Sequence, residues 1–487
     1  MTAVTRLLFP AIRWDRGRGD WDGTDRIGPL ARLGVGGWIL FGGAAPAVAE
    51  LTAELRAASP HPILVGADLE RGAGQQFEGA TPLPPAAALG SLHDPAATRQ
   101  AAELTAREAR ALGVDWVYAP VADVDVEPAN PIVGTRAFGA DPAAAARQVA
   151  AWVEGCRTGA LATAKHFPGH GRTTADSHLG LPVVDVDGAT LDVELAPFRA
   201  AVEAGVDAIM TAHVAFPALD PSGAPATLSR PILHGLLRER MGFRGLVVTD
   251  ALIMEGVTGN GADGPRGSGE AATAAVRAVT AGCDALLYPP DPEAVAAALE
   301  AARGGALPAA RVAESAARIR AAAEARTAGA SPDAGVGLPG DRSWALELAV
   351  RTVHAVRGED GVANAFELVT VDDDVGGPYA PPARSTFPAT LAKAGRGVIP
   401  VDVPGGGRPV VVAVYADIRG FKGRPGLGGD ARSAVRRVVD AAPSSLVVLF
   451  GHPRLAAGLP GENVVCAWGG EPLMQEAAAV KLAGQDR

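Results

Sequence analysis

Eight short apolar, β-rich runs alternate with Ala-rich helical stretches over residues 1–325, and this alternation restricts the fold more than any other feature of the chain. The runs are Leu7–Ile12, Gly37–Phe41, Ile63–Ala67, Trp116–Ala119, Leu161–Lys165, Ala208–Thr211, Leu246–Thr249 and Ala285–Tyr288. Continuous apolar runs of this kind belong to strands buried on both faces, the situation of a parallel sheet covered by helices. Eight successive βα units imply an α/β fold of the TIM-type (β/α)8-barrel kind.

The pattern ends near Arg326. From Arg326 to Arg342 the chain turns to Ala, Gly, Pro, Ser and Asp without apolar periodicity, as a linker does. At 487 residues two domains are expected. The division implied is a catalytic barrel over 1–325, a linker over 326–342 and a smaller domain over 343–487. In the last of these, Val410–Tyr415, Leu446–Phe450 and Val464–Ala467 read as buried parallel strands, with a crossover helix at Arg432–Ala441. That pattern implies a small α/β sandwich. Gly426 to Ala431 superficially matches a dinucleotide fingerprint, but it lies well beyond its nearest strand, so no nucleotide cofactor is implied.

A net charge of −10 without any Lys/Arg run excludes a phosphate-binding surface, so no nucleic-acid partner is expected. Cys156, Cys283 and Cys466 lack metal or disulfide spacing and read as buried free thiols. No apolar segment approaches the roughly 20 residues of a membrane helix. The first residues, broken by Arg6, Pro10 and Arg13, lack a secretory signal's apolar core. A cytoplasmic enzyme acting on a small neutral substrate, with no membrane partner, fits these bounds.

Active sites of such barrels sit at the C-terminal strand ends, and polar residues gather there. Asp68 and Glu70 follow the third run, Asp123 and later Arg136 the fourth, Lys165 and His166 the fifth, His213 the sixth and Asp250 the seventh. The densest stretch, Lys165 to His178, packs three histidines, a lysine and an aspartate into fourteen residues. Pro168, Gly169 and Gly171 exclude a regular helix, which leaves a shaped loop. Asp176 is close enough to His178 to hold one ring nitrogen and leave the other for proton transfer. The same residues are metal-ligand types, but they lack the helical spacing of common ligand pairs, so no metal is implied. His170 reads as a loop-shaping residue, Asp123 and Asp125 as loop braces, and His213 as either structural or site-lining.

From Lys165 to His178 the chain resembles the signature loop of β-N-acetylglucosaminidases (β-hexosaminidases) in glycoside hydrolase family 3. The resemblance implies that His178 is the general acid/base with Asp176 as its partner, and that Lys165 and His166 bind sugar hydroxyls. Asn130 to Gly139 resembles the family segment whose arginine contacts the sugar, which gives that role to Arg136. Val248 to Leu252 resembles the nucleophile segment, which gives attack on the anomeric carbon to Asp250. Asp68 matches the acidic residue that grips the terminal sugar. The C-terminal region resembles the family's accessory domain more loosely. One departure concerns specificity: Glu70-Arg71-Gly72-Ala73 and Gln76 stand where relatives often carry Glu-Gly-Gly-Arg and an arginine before the phenylalanine.

The resemblance implies a retaining exo-β-N-acetylglucosaminidase acting on an amino-sugar glycoside through a glycosyl-enzyme on Asp250, with no cofactor. A broad exo-β-glucosidase, a phosphorylase using phosphate as acceptor and a carbohydrate-binding protein without turnover are the alternatives.

Overall fold

The computed structural model describes residues 3–258, 268–327, 335–374, 381–405, 407–418, 422, 424 and 426–484. They group into two compact units, one of Met1–Thr81, Asp94–Val124 and Ala140–Leu338, the other of Pro82–His93, Asp125–Gly139 and Pro339–Arg487. The change at Leu338 falls inside the expected linker, whose residues 328–334 lie outside the described residues. Two stretches expected within the barrel domain instead belong to the second unit. Ala87 and Ala88 enter its core, and Asp125 pairs there with His452 (3.2 Å) and Arg454 (2.9 Å).

In the first unit the apolar runs become strands: β1 (Leu8–Phe9), β2 (Ala11–Asp15), β3 (Asp20–Asp22), β4 (Gly37–Phe41), β5 (Leu64–Ala67), β6 (Trp116–Val117), β7 (Leu161–Phe167), β8 (Ala208–Thr211), β9 (Leu246–Thr249) and β10 (Leu286–Leu287). β1 and β2 are a single run divided at Pro10, and β3 folds back antiparallel on β2. Parallel pairing runs from β2 through β4, β5, β6, β7 and β8 to β9. Val248 then bridges Ala285 in parallel, and β10 pairs with β1, which closes the ring. The barrel expected from the eight runs is therefore present. β6 is shorter than its run because Pro120 brings no N–H to the ladder.

Aromatic rings fill the barrel. Phe9 and Trp116 meet edge to face at 5.4 Å, and Trp116 lies 5.3 Å from Tyr118. Glycine makes the room: a Cβ on Gly37 would stand 2.5 Å from the Phe9 ring, and one on Gly66 2.3 Å from the Tyr118 hydroxyl. Strand alternation carries this inner face forward. Arg13 pairs with Phe41 and Ala11 with Ile39, in step with Gly37, while Asp68 is two residues beyond Gly66. Thr163 accepts from the Trp116 indole at 2.7 Å, so Lys165, two residues on, also faces in.

The second unit is built on a six-stranded sheet. Its strands are β11 (His354–Arg357), β12 (Ala365–Asp372), β13 (Gly397–Pro400), β14 (Val410–Tyr415), β15 (Ser445–Phe450) and β16 (Asn463–Cys466), in the order β11-β16-β15-β14-β12-β13. All pairs are parallel except the edge strand β11. Val411, Ala413 and Tyr415 join one core with residues of the helices Pro339–Thr352, Thr386–Lys393 and Pro472–Leu482. Val410, Val412 and Val414 join another with the helix Gly429–Ala441. Helices on both faces make this an α/β sandwich. The fingerprint-like stretch opens the last-named helix, and the Gly428 N–H donates to Asp373 at 2.9 Å.

Candidate active site

Asp68 and Glu70 leave the end of β5 two residues apart, on the same side of an extended chain. Between them lies the ammonium of Lys165, whose Nζ is 2.6 Å from Asp68 Oδ1 and 2.7 Å from Glu70 Oε1. The lysine side chain is only 2% exposed, so the two carboxylates replace the water that it has lost. Asp68 remains 29% exposed, which leaves this charged cluster open to a ligand hydroxyl.

β7 runs past Lys165 to Phe167 and changes register against β8 between Ala164 and Phe167. Such an irregularity re-aims side chains. Lys165 and His166 are therefore strand-borne residues and not the opening of a free loop. Asp123, six residues beyond β6, braces the chain where it leaves β7. Its Oδ2 lies 2.7 Å from His166 Nδ1, and its Oδ1 accepts from the backbone N–H groups of His166 (3.2 Å) and His170 (2.7 Å). A carboxylate accepting three N–H groups holds such a segment firmly. Gly171 lets the loop close on this segment, since a Cβ there would stand 1.7 Å from the Val124 carbonyl.

His170 is buried, with Nδ1 2.7 Å from Thr173 Oγ1 and Nε2 2.9 Å from Ser177 Oγ. Burial pushes its ring down to about 4, against the opposing pull of Asp123. The folded ring thus takes up a proton less readily than the unfolded one at 6.5. Its stabilising contribution is complete above the unfolded value and is lost as the pH falls towards about 4. Melting temperature is expected to drop over that interval, and His170→Gln to flatten the drop. An unchanged slope in the variant would remove His170 from the account.

Asp176 and His178 sit at the far end of the loop. His178 Nδ1 lies 2.6 Å from Asp176 Oδ1, and the same oxygen accepts the His178 backbone N–H at 2.9 Å. Because a carboxylate only accepts, Nδ1 carries the proton and Nε2 is left to act as base in the neutral ring. The His178 side chain is 26% exposed against 3% for Asp176, so the ring is reachable while its holder is not. The Ser177 carbonyl accepts from Gly256 N at 3.0 Å, which ties this end of the loop to the segment after β9.

Asp250 ends β9. Burial pushes its carboxyl up, but His166, His213, the Ala251 N–H at 2.7 Å and His178 together hold it down at about 2. It is therefore an anion at any ordinary pH. His213, at the end of β8, is fully buried, and burial lowers its ring against the pull of Asp250. Its Nε2 lies 3.2 Å from the Ala251 carbonyl and must donate; Nδ1 stands 2.7 Å from Thr227 Oγ1.

Of the residues expected from sequence, Asp68 meets Lys165, Asp176 meets His178, and His166 and His178 act on Asp250. Arg136 groups with the second unit, where its guanidinium donates to the Ile132 carbonyl at 3.2 Å. Glu70 and Asp123 contribute more than their sequence positions suggest. The signal for Glu70 is its two-residue spacing from Asp68, which puts both on one face. Gln76, at the position of the departure noted in the sequence, accepts from Gly42 N at 3.1 Å. Among the described residues no group of three or more His, Cys, Asp or Glu could hold a metal ion, and no helix is long and apolar enough to cross a membrane.

The model of the glycosyl hydrolase family 3 N terminal domain matches residues 26–322. A beta-hexosaminidase of Xylella fastidiosa (strain 9a5c) is 41% identical over 266 residues, covering 53% of this chain and 76% of its own. A beta-N-acetylglucosaminidase/beta-glucosidase of Cellulomonas fimi is 34% identical over 422 residues, covering 80% of this chain and 73% of its own. The solved family 3 beta-N-acetylglucosaminidase of Paenibacillus sp. str. FPU-7 superposes with a TM-score of 0.86 at 29% identity, over 99% of this chain and 96% of that one. With the barrel, the strand-end cluster and these likenesses in agreement, the chain belongs to glycosyl hydrolase family 3, as a glycoside hydrolase of its β-hexosaminidase branch.

Proposed function

We propose that the chain is a retaining exo-β-N-acetylglucosaminidase. The observation that carries the reading is the placement of Asp250 directly after β9, with the Asp176–His178 pair (2.6 Å) on a loop that is tied by the Gly256 N–H to Ser177 carbonyl bond to the segment that follows Asp250. In the first step Asp250 forms a bond to the anomeric carbon while the glycosidic C–O bond breaks, and His178 Nε2–H gives its proton to the departing oxygen. In the second step neutral His178 takes a proton from water, the water oxygen bonds to the anomeric carbon and Asp250 leaves as carboxylate. Asp176 remains ionised throughout and orients the ring. Asp68, Lys165 and His166 bind the hydroxyls of the reacting sugar. Arg136 takes its sugar contact from the family resemblance.

The test compares leaving groups. With His178→Ala, kcat/KM is expected to fall about 10³-fold on chitobiose, where the leaving oxygen needs a proton, and less than ten-fold on a dinitrophenyl N-acetyl-β-glucosaminide. Equal losses on both would sink the acid/base assignment.

A second reading, a dual glucosidase, is favoured by the name of the Cellulomonas fimi relative and by the engagement of Gln76 with the Gly42 backbone at the departure noted in the sequence. An aryl β-glucoside turned over as fast as the acetylated sugar would decide for it. Faster turnover with added phosphate, together with a sugar 1-phosphate product, would decide for phosphorolysis.

A further inference from the structure

Between Asp250 at the end of β9 and Asp68 after β5, the ring passes through three strand ends to which the catalytic reading gives no role: those of β10, β2 and β4. Phe41 ends β4, Arg13 lies opposite it within β2 and Tyr288 follows β10, each half-buried. Arg13 and Phe41 are register partners on the inner face. Tyr288 should point the other way, because its neighbour Leu287 pairs with the inward Phe9. Its backbone is left-handed instead (φ 46°), a conformation that an aromatic residue adopts only when its surroundings impose it. The alternation is broken there, and the Tyr288 ring comes to 5.8 Å from that of Phe41. The Arg13 guanidinium lies over both rings, 4.2 Å from the Phe41 centroid and 5.1 Å from that of Tyr288. Its Nε donates to the tyrosine hydroxyl at 2.9 Å.

We propose that Tyr288, Arg13 and Phe41 form the subsite for the leaving group, a second sugar ring or an aryl aglycone. The inference rests on the proposed hydrolase function. Arg13 covers one face of each half-buried ring, and the part of the rings that remains exposed gives an apolar surface for the C–H face of a pyranose or for an aromatic ring. The guanidinium between them fixes the position of both rings, through its contact with each and its hydrogen bond to the tyrosine hydroxyl. The rest of the strand-end ring is charged and suits the hydroxyls of the reacting sugar; this sector differs in kind, as a site that must also hold and release a leaving group requires.

The experiment uses the full chain and two substrates, chitobiose and the β-fluoride of N-acetylglucosamine, whose leaving group is a single atom. Phe41→Leu and Tyr288→Leu are each expected to raise KM for chitobiose about ten-fold, against two-fold or less for the fluoride. Tyr288→Phe keeps the ring and loses only the hydrogen bond to Arg13, so it should recover most of that difference. Equal losses on both substrates, or a phenylalanine variant as impaired as the leucine one, would overturn the subsite. Affinities of chitobiose and N-acetylglucosamine for the Asp250→Asn protein, with and without Phe41→Leu, read the same contrast without turnover. A wild-type enzyme inert on both substrates would therefore refute the proposed reaction, while the affinity ratio would still decide the rim.

Discussion

Asp250→Asn is expected to lower turnover by at least ~10⁴-fold on every glycoside, equivalent to roughly 5–6 kcal/mol of barrier. Asparagine preserves shape and can still accept the Ala251 N–H that Asp250 now accepts at 2.7 Å, so the loss would report the missing negative charge and not a collapsed loop. A sharper form of the test removes the side chain. In Asp250→Gly the vacated space lies where the carboxylate met the anomeric carbon, and added azide should restore cleavage of an aryl substrate while giving the α-glycosyl azide. Inversion at that carbon is the signature of a small anion taking the place of a nucleophile that normally inverts it first. More than about one per cent residual activity in the asparagine protein, where ~10⁻⁴ is expected, or a β-configured azide, would rule out the nucleophile assignment.

Lys165→Met is expected to damage stability as well as activity. The ammonium is nearly inaccessible and is shared by Asp68 and Glu70 at 2.6 and 2.7 Å. Methionine matches its volume but leaves two negative charges facing each other, Glu70 almost fully buried. Removing one partner from a buried ion pair costs about 3–5 kcal/mol, which for a domain of this size corresponds to a melting shift of roughly 10 °C. If unpaired charge is the cause, the double variant Lys165→Met/Glu70→Gln should melt higher than the single one while remaining as poor a catalyst. A double variant that melts no higher would point to packing instead.

Much of the barrel was legible because its strands are buried on both faces: runs such as Gly37–Phe41 and Leu246–Thr249 contain nothing but apolar residues and glycine or a terminal threonine. β12 buries Phe366 and Leu368 in one core and Val369 and Val371 in the other, so its alternation changes phase midway and does not stand out, and the exposed edge strands β11 and β13 carry no alternation at all. The site was legible where chemistry concentrates locally, as from Lys165 to His178. It was opaque where function depends on the ring bringing distant strands together. Asp123 reads as a loop brace, but nothing local says that the loop it holds lies more than forty residues later, and nothing marks Tyr288 as a neighbour of Arg13 at the other end of the barrel sequence. The same holds for Pro82–His93 and Asp125–Gly139, whose membership of the second unit is set by contacts with residues hundreds of positions away.

The interlocked rings of Phe9, Trp116 and Tyr118, none of them exposed, act as a plug beneath the strand-end residues. A polymer cannot be threaded through a barrel stoppered in this way. A sugar reaching Lys165 and Asp68 must therefore come from the strand-end side of the barrel. The same plug gives the strand-end side chains a rigid, close-packed floor, so that Lys165 and Asp68 are held from below as well as by each other.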